Sequence, residues 1–170
     1  MGFRREGGLA AEEVVRVLAA LDTSGFRAWV AGGWGVDALV GRQTRAHRDL
    51  DLALDVTAHS LESAIEVLHG LGYDVETDRR PTRVELAAPS ERWVDLHPVV
   101  FDDHGTGWQA NVEGLAPFRY PPDAFTDGFV GGTGVGCLSV QQQLLFHSGY
   151  PLRARDLADI ELLKQLTAMT

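Results

Sequence analysis

The amino-acid sequence predicts an α+β fold: a mixed β-sheet flanked by helices, with further loops and helices towards the C-terminus. Three observations carry that reading. Residues 49–54, DLDLAL, alternate polar and apolar with the period of two that sends successive strand side chains to opposite faces. Residues 11–21 instead place Val14, Val17, Leu18 and Leu21 at helical spacing. The segments then follow one another as helix, strand, helix, strand, helix and a run of strands, a mixture that belongs to the α+β class.

The elements are justified in chain order. The first helix spans 11–21 and is stopped by TSG at 23–25. FRAWVA at 26–31 is short, rich in large apolar residues and closed by Gly32 and Gly33, so it reads as a buried strand and a turn. A short helix is expected over about 34–40, ended by Gly41. DLDLAL is the second strand. Residues 60–71 put Leu61, Ile65, Leu68 and Leu71 on one helical face before Gly70 and Gly72. YDVET, RVELA and RWVDLHPVVF are three further strands, the last two joined by a turn at APSE. Beyond Phe101 the stretches DDHGTG, RYPPDAFTDG and GGTGVG predict loops and short hairpins in place of regular elements. Ser139 to Gln142 resembles a capping box ahead of a helix, and 155–166, RDLADIELLKQL, reads as a closing amphipathic helix.

A chain of 170 residues makes one domain, 1–170, with a core over about 10–101 and an extension over about 102–170. Its 45% hydrophobic and 23% charged residues are globular values. No apolar run approaches a membrane span, and the start MGFRREGG lacks the apolar core of a secretion signal, so a cytoplasmic location with no membrane partner is expected. The lone Cys137 excludes an internal disulfide and a cysteine metal cluster. A net charge of -9 argues against nucleic acid as a partner, since phosphate neutralisation needs clustered Lys and Arg. It is compatible with a nucleotide if metal ions bridge the like charges, and with a cationic small molecule.

Chemistry is suggested first by the carboxylates. Asp49 and Asp51, two apart on a strand, point to one face and repel unless a cation or water intervenes. They follow a strand, a double-glycine turn and a helix start, the order a phosphate site needs: glycines admit backbone N–H groups close to phosphate, and a helix N-terminus adds partial positive charge. Asp95, in WVDLHP, shares a strand face with Trp93 and His97 by alternation. Three such carboxylates suffice to hold two magnesium ions and activate a hydroxyl. Arg45, His47 and Arg48 lie close enough ahead of the acidic strand to reach phosphate, or are solvated loop charges.

The stretches GGWGVDALVGRQTRAHRDLDLALD, RVEL, WVDLHPV, QANVEG and QLLFHSGY, spanning 32–150, resemble the small lincosamide nucleotidyltransferases. These are relatives of the aminoglycoside nucleotidyltransferases in the DNA polymerase beta nucleotidyltransferase superfamily. The resemblance implies the nucleotidyltransferase fold, with residues 102–170 binding the acceptor. It also implies magnesium-dependent transfer of a nucleoside monophosphate, usually from ATP, to a hydroxyl of a lincosamide antibiotic, with release of pyrophosphate and resistance as the outcome. On the matching positions, Asp49 and Asp51 would be metal ligands, Gly32 and Gly33 with the adjoining Trp34 would hold the triphosphate alongside Arg45 and His47, and Asp95 would complete the carboxylate set as the base. Glu85 would face the acceptor, add a fourth carboxylate or stand on the surface; His97 would orient Asp95, reach substrate or simply fill the strand, and His147 would line the antibiotic pocket or pack the final helix. Arg153, Arg155 and the glycine-rich DGFVGGTGVG depart from the family pattern and weigh on acceptor choice, not on the reaction.

Two other readings stand beside this one. An aminoglycoside, another hydroxyl compound or a protein side chain would keep the chemistry, although the small protein-modifying relatives carry serine where Gly33 stands. A non-catalytic nucleotide or metal module is the second. A calcium loop fails, because Ala53 and Leu54 occupy positions that need an oxygen ligand and a glycine. Whether two chains share a pocket as a homodimer stays open.

Overall fold

The structure, a computed structural model, describes residues 8–148 and 150–169; the MGFRREG start read above for targeting signals, Gly149 of the QLLFHSGY stretch and Thr170 lie outside the described residues. Helix α1 (Ala11–Thr23) buries Val14, Val17 and Leu21 against the sheet, as its spacing requires, and carries Glu12 and Glu13 in its first turn, where the helix dipole favours negative charge. Strand β1 (Ala28–Ala31) runs straight into α2 (Gly32–Val40), two residues earlier than the sequence suggested. The reason is Gly32, whose φ of +59° compresses the whole turn into one residue. β2 (Asp49–Asp55) and α3 (Leu61–His69) follow, the latter capped by the Ser60 hydroxyl, which accepts from the Ser63 N–H at 3.2 Å. β3 (Asp74–Arg79), β4 (Arg83–Ala88) and β5 (Arg92–Phe101) form an antiparallel meander.

With two later strands, β8 (Phe125–Val130) and β9 (Thr133–Leu138), the sheet order is β3-β4-β5-β2-β1-β9-β8, with β2 and β5 parallel at its centre and β1 antiparallel to β2. Strong alternation divides the two central strands. Leu50, Leu52, Leu54, Val94 and Leu96 are fully buried on the face covered by α1 and α3, while Asp49, Asp51, Asp95 and His97 stand on the other. The β2–β5 register pairs Asp51 with Asp95, and the β4–β5 register pairs Asp95 with Glu85, so one row of the sheet carries acids from three adjacent strands.

The region beyond Phe101 is more regular than its composition suggested. β6 (Gly107–Gln109) and β7 (Phe118–Tyr120) extend the end of β5 as a short ribbon. The glycine-rich stretch is a hairpin, β8 (Phe125–Val130) and β9 (Thr133–Leu138), and β9 joins the main sheet parallel to β1. Gly131 and Gly132, at φ of +55° and +79°, make the two-residue turn with both φ positive that matches strand twist, so glycine here builds a strand pair and does not prevent one. Helix α4 (Val140–Phe146) starts at Ser139, whose hydroxyl accepts from the Gln142 N–H at 3.2 Å, as the capping signal predicted. α5 (Ala154–Ala168) forms too, but its buried positions are Asp156, Asp159 and Leu163, and Leu157 is exposed. It is therefore not the apolar-faced helix expected: two acids point inward because arginines meet them there. No helix among the described residues is long and apolar enough to cross a membrane.

Candidate active site

A cavity of about 940 Å³ opens on the acidic face of the central strands, between the glycine turn, the β6–β7 ribbon and helices α4 and α5. Its floor is set by strand register. Asp51, Asp95 and His97 bring one ligand atom each within 4.8 Å of one another. His97 Nε2 lies 3.2 Å from Asp51 Oδ1 and 3.7 Å from Asp95 Oδ2, and the Arg83 guanidinium donates to Asp95 Oδ2 at 2.5 Å. Asp95 Oδ1 is buried with no hydrogen-bond partner among the described residues, a costly state for a carboxylate oxygen unless a cation or water meets it.

The charges follow from this crowding. Burial, and then the neighbouring Asp51 set against His97 and Arg83, leaves the Asp95 carboxyl above the ordinary aspartate range. Asp49 keeps solvent contact at the start of β2, yet the cleft walls first and the charge of Asp51 second push its pKa up as well. Burial works to lower the pKa of His97, but the hydrogen bond to Asp51 and the charges of Asp51 and Asp95 outweigh it and raise the net value. Acids that resist ionisation when bare, beside an orphaned oxygen, fit a divalent cation.

The glycine turn is built around these side chains. A Cβ on Gly32 would lie 2.3 Å from Asp51 Oδ2, and one on Gly33 would lie 2.6 Å from both Arg45 Nη2 and His47 Nδ1. The pair is needed for side-chain room at the cleft as much as for access to backbone N–H groups. From the far side, Gln143 of α4, itself 1% exposed, donates to the Gly32 carbonyl at 3.2 Å and locks the turn against that helix. Arg45 is held by a paired contact with Asp159 of α5, Nη2 to Oδ2 at 2.9 Å and Nε to Oδ1 at 3.3 Å. The opposite wall carries Phe118, Leu145, Phe146 and Tyr150.

A model of the aminoglycoside-2″-adenylyltransferase family matches residues 13–163. The chain belongs to that family. It is 35% identical over 163 residues to a lincosamide resistance protein of Staphylococcus haemolyticus, covering 96% of this chain and 99% of that one. It is also similar to the lincomycin-bound crystal structure of the lincosamide antibiotic adenylyltransferase LnuA, at a TM-score of 0.83 and 34% identity over 94% of this chain and 99% of that one. The solution structure of the antibiotic-resistance factor ANT(2″)-Ia shares the fold, at a TM-score of 0.73 and 20% identity over 94% and 84% of the two chains. The fold is that of the nucleotidyltransferases, and the protein is a nucleotidyltransferase. Its reaction class takes a nucleoside triphosphate and a divalent cation.

In this enzyme Gly32, Gly33, Arg45, His47, Asp49, Asp51, Asp95, His97 and His147 all line the one cavity. Within that set the tight cluster is Asp51, Asp95 and His97, and Asp49 stands outside it at the strand's open end. Trp34 is elsewhere: at 1% exposure it packs on the His47 ring, 4.8 Å between centroids, and supports the wall from behind without reaching the cavity. The helix starts at Gly32, and that phase turns Trp34 into the core. Glu85 is one strand further out, beside Asp95 but off the cavity wall, and its pKa is raised by burial and then by Asp95. The His47 side chain is 2% exposed, its Nε2 2.5 Å from Asp37 Oδ2. His147 donates from Nδ1 to the Gln143 carbonyl at 2.7 Å and ends α4.

Arg83, Gln109, Gln143 and Asp159 are site residues that sequence reasoning missed. Alternation in RVEL puts Arg83 on the face of Glu85, and Gln109 and Gln143 sit in the QANVEG and QLLFHSGY stretches, so a signal existed for these three. Asp159 had none, because 114 residues separate it from Arg45.

Proposed function

We propose that the protein transfers AMP from ATP to a hydroxyl of a lincosamide antibiotic, releasing pyrophosphate. The carrying observation is Asp51 packed against the Gly32 turn with Asp95 beside it, in one cavity with an apolar far wall. Asp49, Asp51 and Asp95 would hold magnesium, two ions in the family's manner. Bound there, the metal would neutralise charge developing on the phosphates as the acceptor oxygen attacks the α-phosphorus and the bond to the bridging oxygen breaks. Gly32 and Gly33 would let the triphosphate approach the start of α2, and Arg45 beside them would balance its charge. Asp95, whose pKa burial raises, would accept the proton of the attacking hydroxyl. Residues 102–170 would supply the acceptor wall.

A lincosamide carries about one positive charge, whereas an aminoglycoside carries several and wants unpaired acids around it. The acids on the α5 side are already paired, Asp159 with Arg45 and Asp156 with Arg153. This, the apolar residues opposite, and the lincomycin named for the LnuA structure support the lincosamide reading. The family model's own description favours an aminoglycoside as the second reading.

The protein, magnesium and ATP are to be mixed separately with lincomycin, clindamycin and kanamycin, and the products weighed by mass spectrometry. An added AMP is expected on the first two. Product from kanamycin alone would overturn the acceptor and leave the chemistry, and unchanged turnover in both Asp49→Asn and Asp51→Asn would overturn the metal assignment.

A further inference from the structure

Behind the carboxylates lies a hydrogen-bonded chain that runs from Tyr120 through Gln109 to His97 and Asp51. Gln109, 4% exposed in β6, has every polar atom of its amide engaged. Its nitrogen is 3.0 Å from the Thr82 carbonyl oxygen, which can only accept, so that atom must be the NH₂ and the amide has one orientation. The same nitrogen lies 3.1 Å from His97 Nδ1, and the Tyr120 hydroxyl, buried, donates to Gln109 Oε1 at 2.6 Å. With an N–H aimed at it, Nδ1 has to be an acceptor, so the proton of the neutral ring is on Nε2. Nε2 is the atom that faces Asp51 Oδ1.

We propose that Gln109 and Tyr120 are positioning residues that hold His97 in the tautomer protonated at Nε2, so that His97 clamps Asp51 as a hydrogen-bond donor and is not itself a metal ligand. A nitrogen that carries a proton has no lone pair for a cation. By geometry alone Asp51, Asp95 and His97 look like a three-ligand group. The Gln109 amide divides them into carboxylates that bind and an imidazole that orients. With Asp51 Oδ1 engaged by His97, the oxygens left on this pair are Asp51 Oδ2, on the Gly32 side, and Asp95 Oδ1, which meets no hydrogen-bond partner among the described residues. The charges of Asp51 and Asp95 favour a ring protonated on both nitrogens, but that ring would set N–H against N–H at Nδ1, and turning the amide over to relieve this would press its oxygen on the Thr82 carbonyl, so the amide geometry opposes the second proton.

The tautomer is a property of the folded chain, and only its catalytic consequence rests on the nucleotidyl-transfer reading. The test is a long-range ¹H–¹⁵N correlation spectrum of the full chain with ¹⁵N-labelled histidine at neutral pH, His97 being assigned by the signals lost in His97→Asn. The expected pattern is a protonated Nε2 and a bare Nδ1, unchanged when magnesium chloride is added. A protonated Nδ1, a doubly protonated ring, or loss of the Nε2 proton on adding magnesium would overturn the proposal. Gln109→Glu puts a carboxylate where the amide N–H stood, so it should draw a second proton onto Nδ1 while Asp51 keeps the one on Nε2; a ring with Nδ1 still bare would count against the proposal. That variant should also lower kcat about 10–100-fold while leaving the KM for ATP within about twofold, as expected when a partner behind a metal ligand is lost. Should Gln109→Glu not fold, Tyr120→Phe, which removes one hydroxyl, should lower the share of the Nε2 tautomer and reduce kcat; no change in either would reject the chain. The Nε2 tautomer in a protein that adenylylates no antibiotic would uphold the clamp and sink the function, and active enzyme with the other tautomer would do the reverse.

Discussion

At the scale of single residues, the site depends on atoms that are missing as much as on those present. Gly32 is confined twice, by a φ of +59° and by Asp51 Oδ2 at 2.3 Å from where a Cβ would stand. Gly32→Ala should therefore remove transfer activity and destabilise the fold by about 1–2 kcal/mol, read from activity and the urea midpoint. Native stability with full activity would show that the turn has slack. Glu13 gives a pH test. Hydrogen bonding from Arg16 leads, burial opposes, and Tyr73 and Arg92 add to hold its pKa below the ordinary value of 4.5. A depressed folded pKa stabilises above the unfolded value and loses that contribution as pH falls through the folded one. Glu13→Gln should thus lower the melting temperature at pH 7, by about 1–2 kcal/mol of stability, and the gap to the wild type should close in acid below 4.5.

At the scale of elements, local pattern and tertiary demand agree in some segments and part in others. The capping signal at Ser139 is local, and α4 begins there. Ser139→Ala should cost about 1 kcal/mol by thermal denaturation. Because α4 carries Gln143 to the Gly32 carbonyl, the KM for ATP should rise as well; a stability loss with unchanged KM would separate the helix from the turn. Strands β2, β4 and β5 were legible because burial on one face leaves a period of two in the sequence. The β8–β9 hairpin was less so: its glycines suit both a loop and a two-residue turn, and only the place of β9 beside β1 makes the choice. Trp34 misled for a similar reason, since one residue of helix phase decides between cavity and core.

At the scale of the molecule, one ion pair between residues 114 apart in the chain closes the cavity. Asp159 and Arg45 join the last helix to the loop before β2, with Asp159 3% and Arg45 30% exposed at their side chains. Asp159→Asn breaks a half-sheltered pair and leaves the arginine facing the cleft without its counter-charge, so a loss of about 1–3 kcal/mol is expected, discounted for the solvent that reaches Arg45. The KM for ATP should change more than kcat, because Arg45 flanks the glycine turn and not the reacting acids; equal effects on both would place Asp159 nearer the chemistry.

The sequence by itself determined the class of fold, the strands and most helices, the sharing of one face by Asp49 and Asp51, and, through its motifs, the family. Those properties are encoded over a few neighbouring residues, where the periods of strand and helix, capping hydroxyls and glycine turns act. Only the tertiary structure decided that Asp95 lies opposite Asp51, that His97 stands between them while Asp49 stands apart, that Trp34 is core, and that α5 turns acids inward. Each of these depends on the register of strands or the approach of helices far apart in the chain, and such pairings are settled by the free energy of the packed whole, which no local pattern contains.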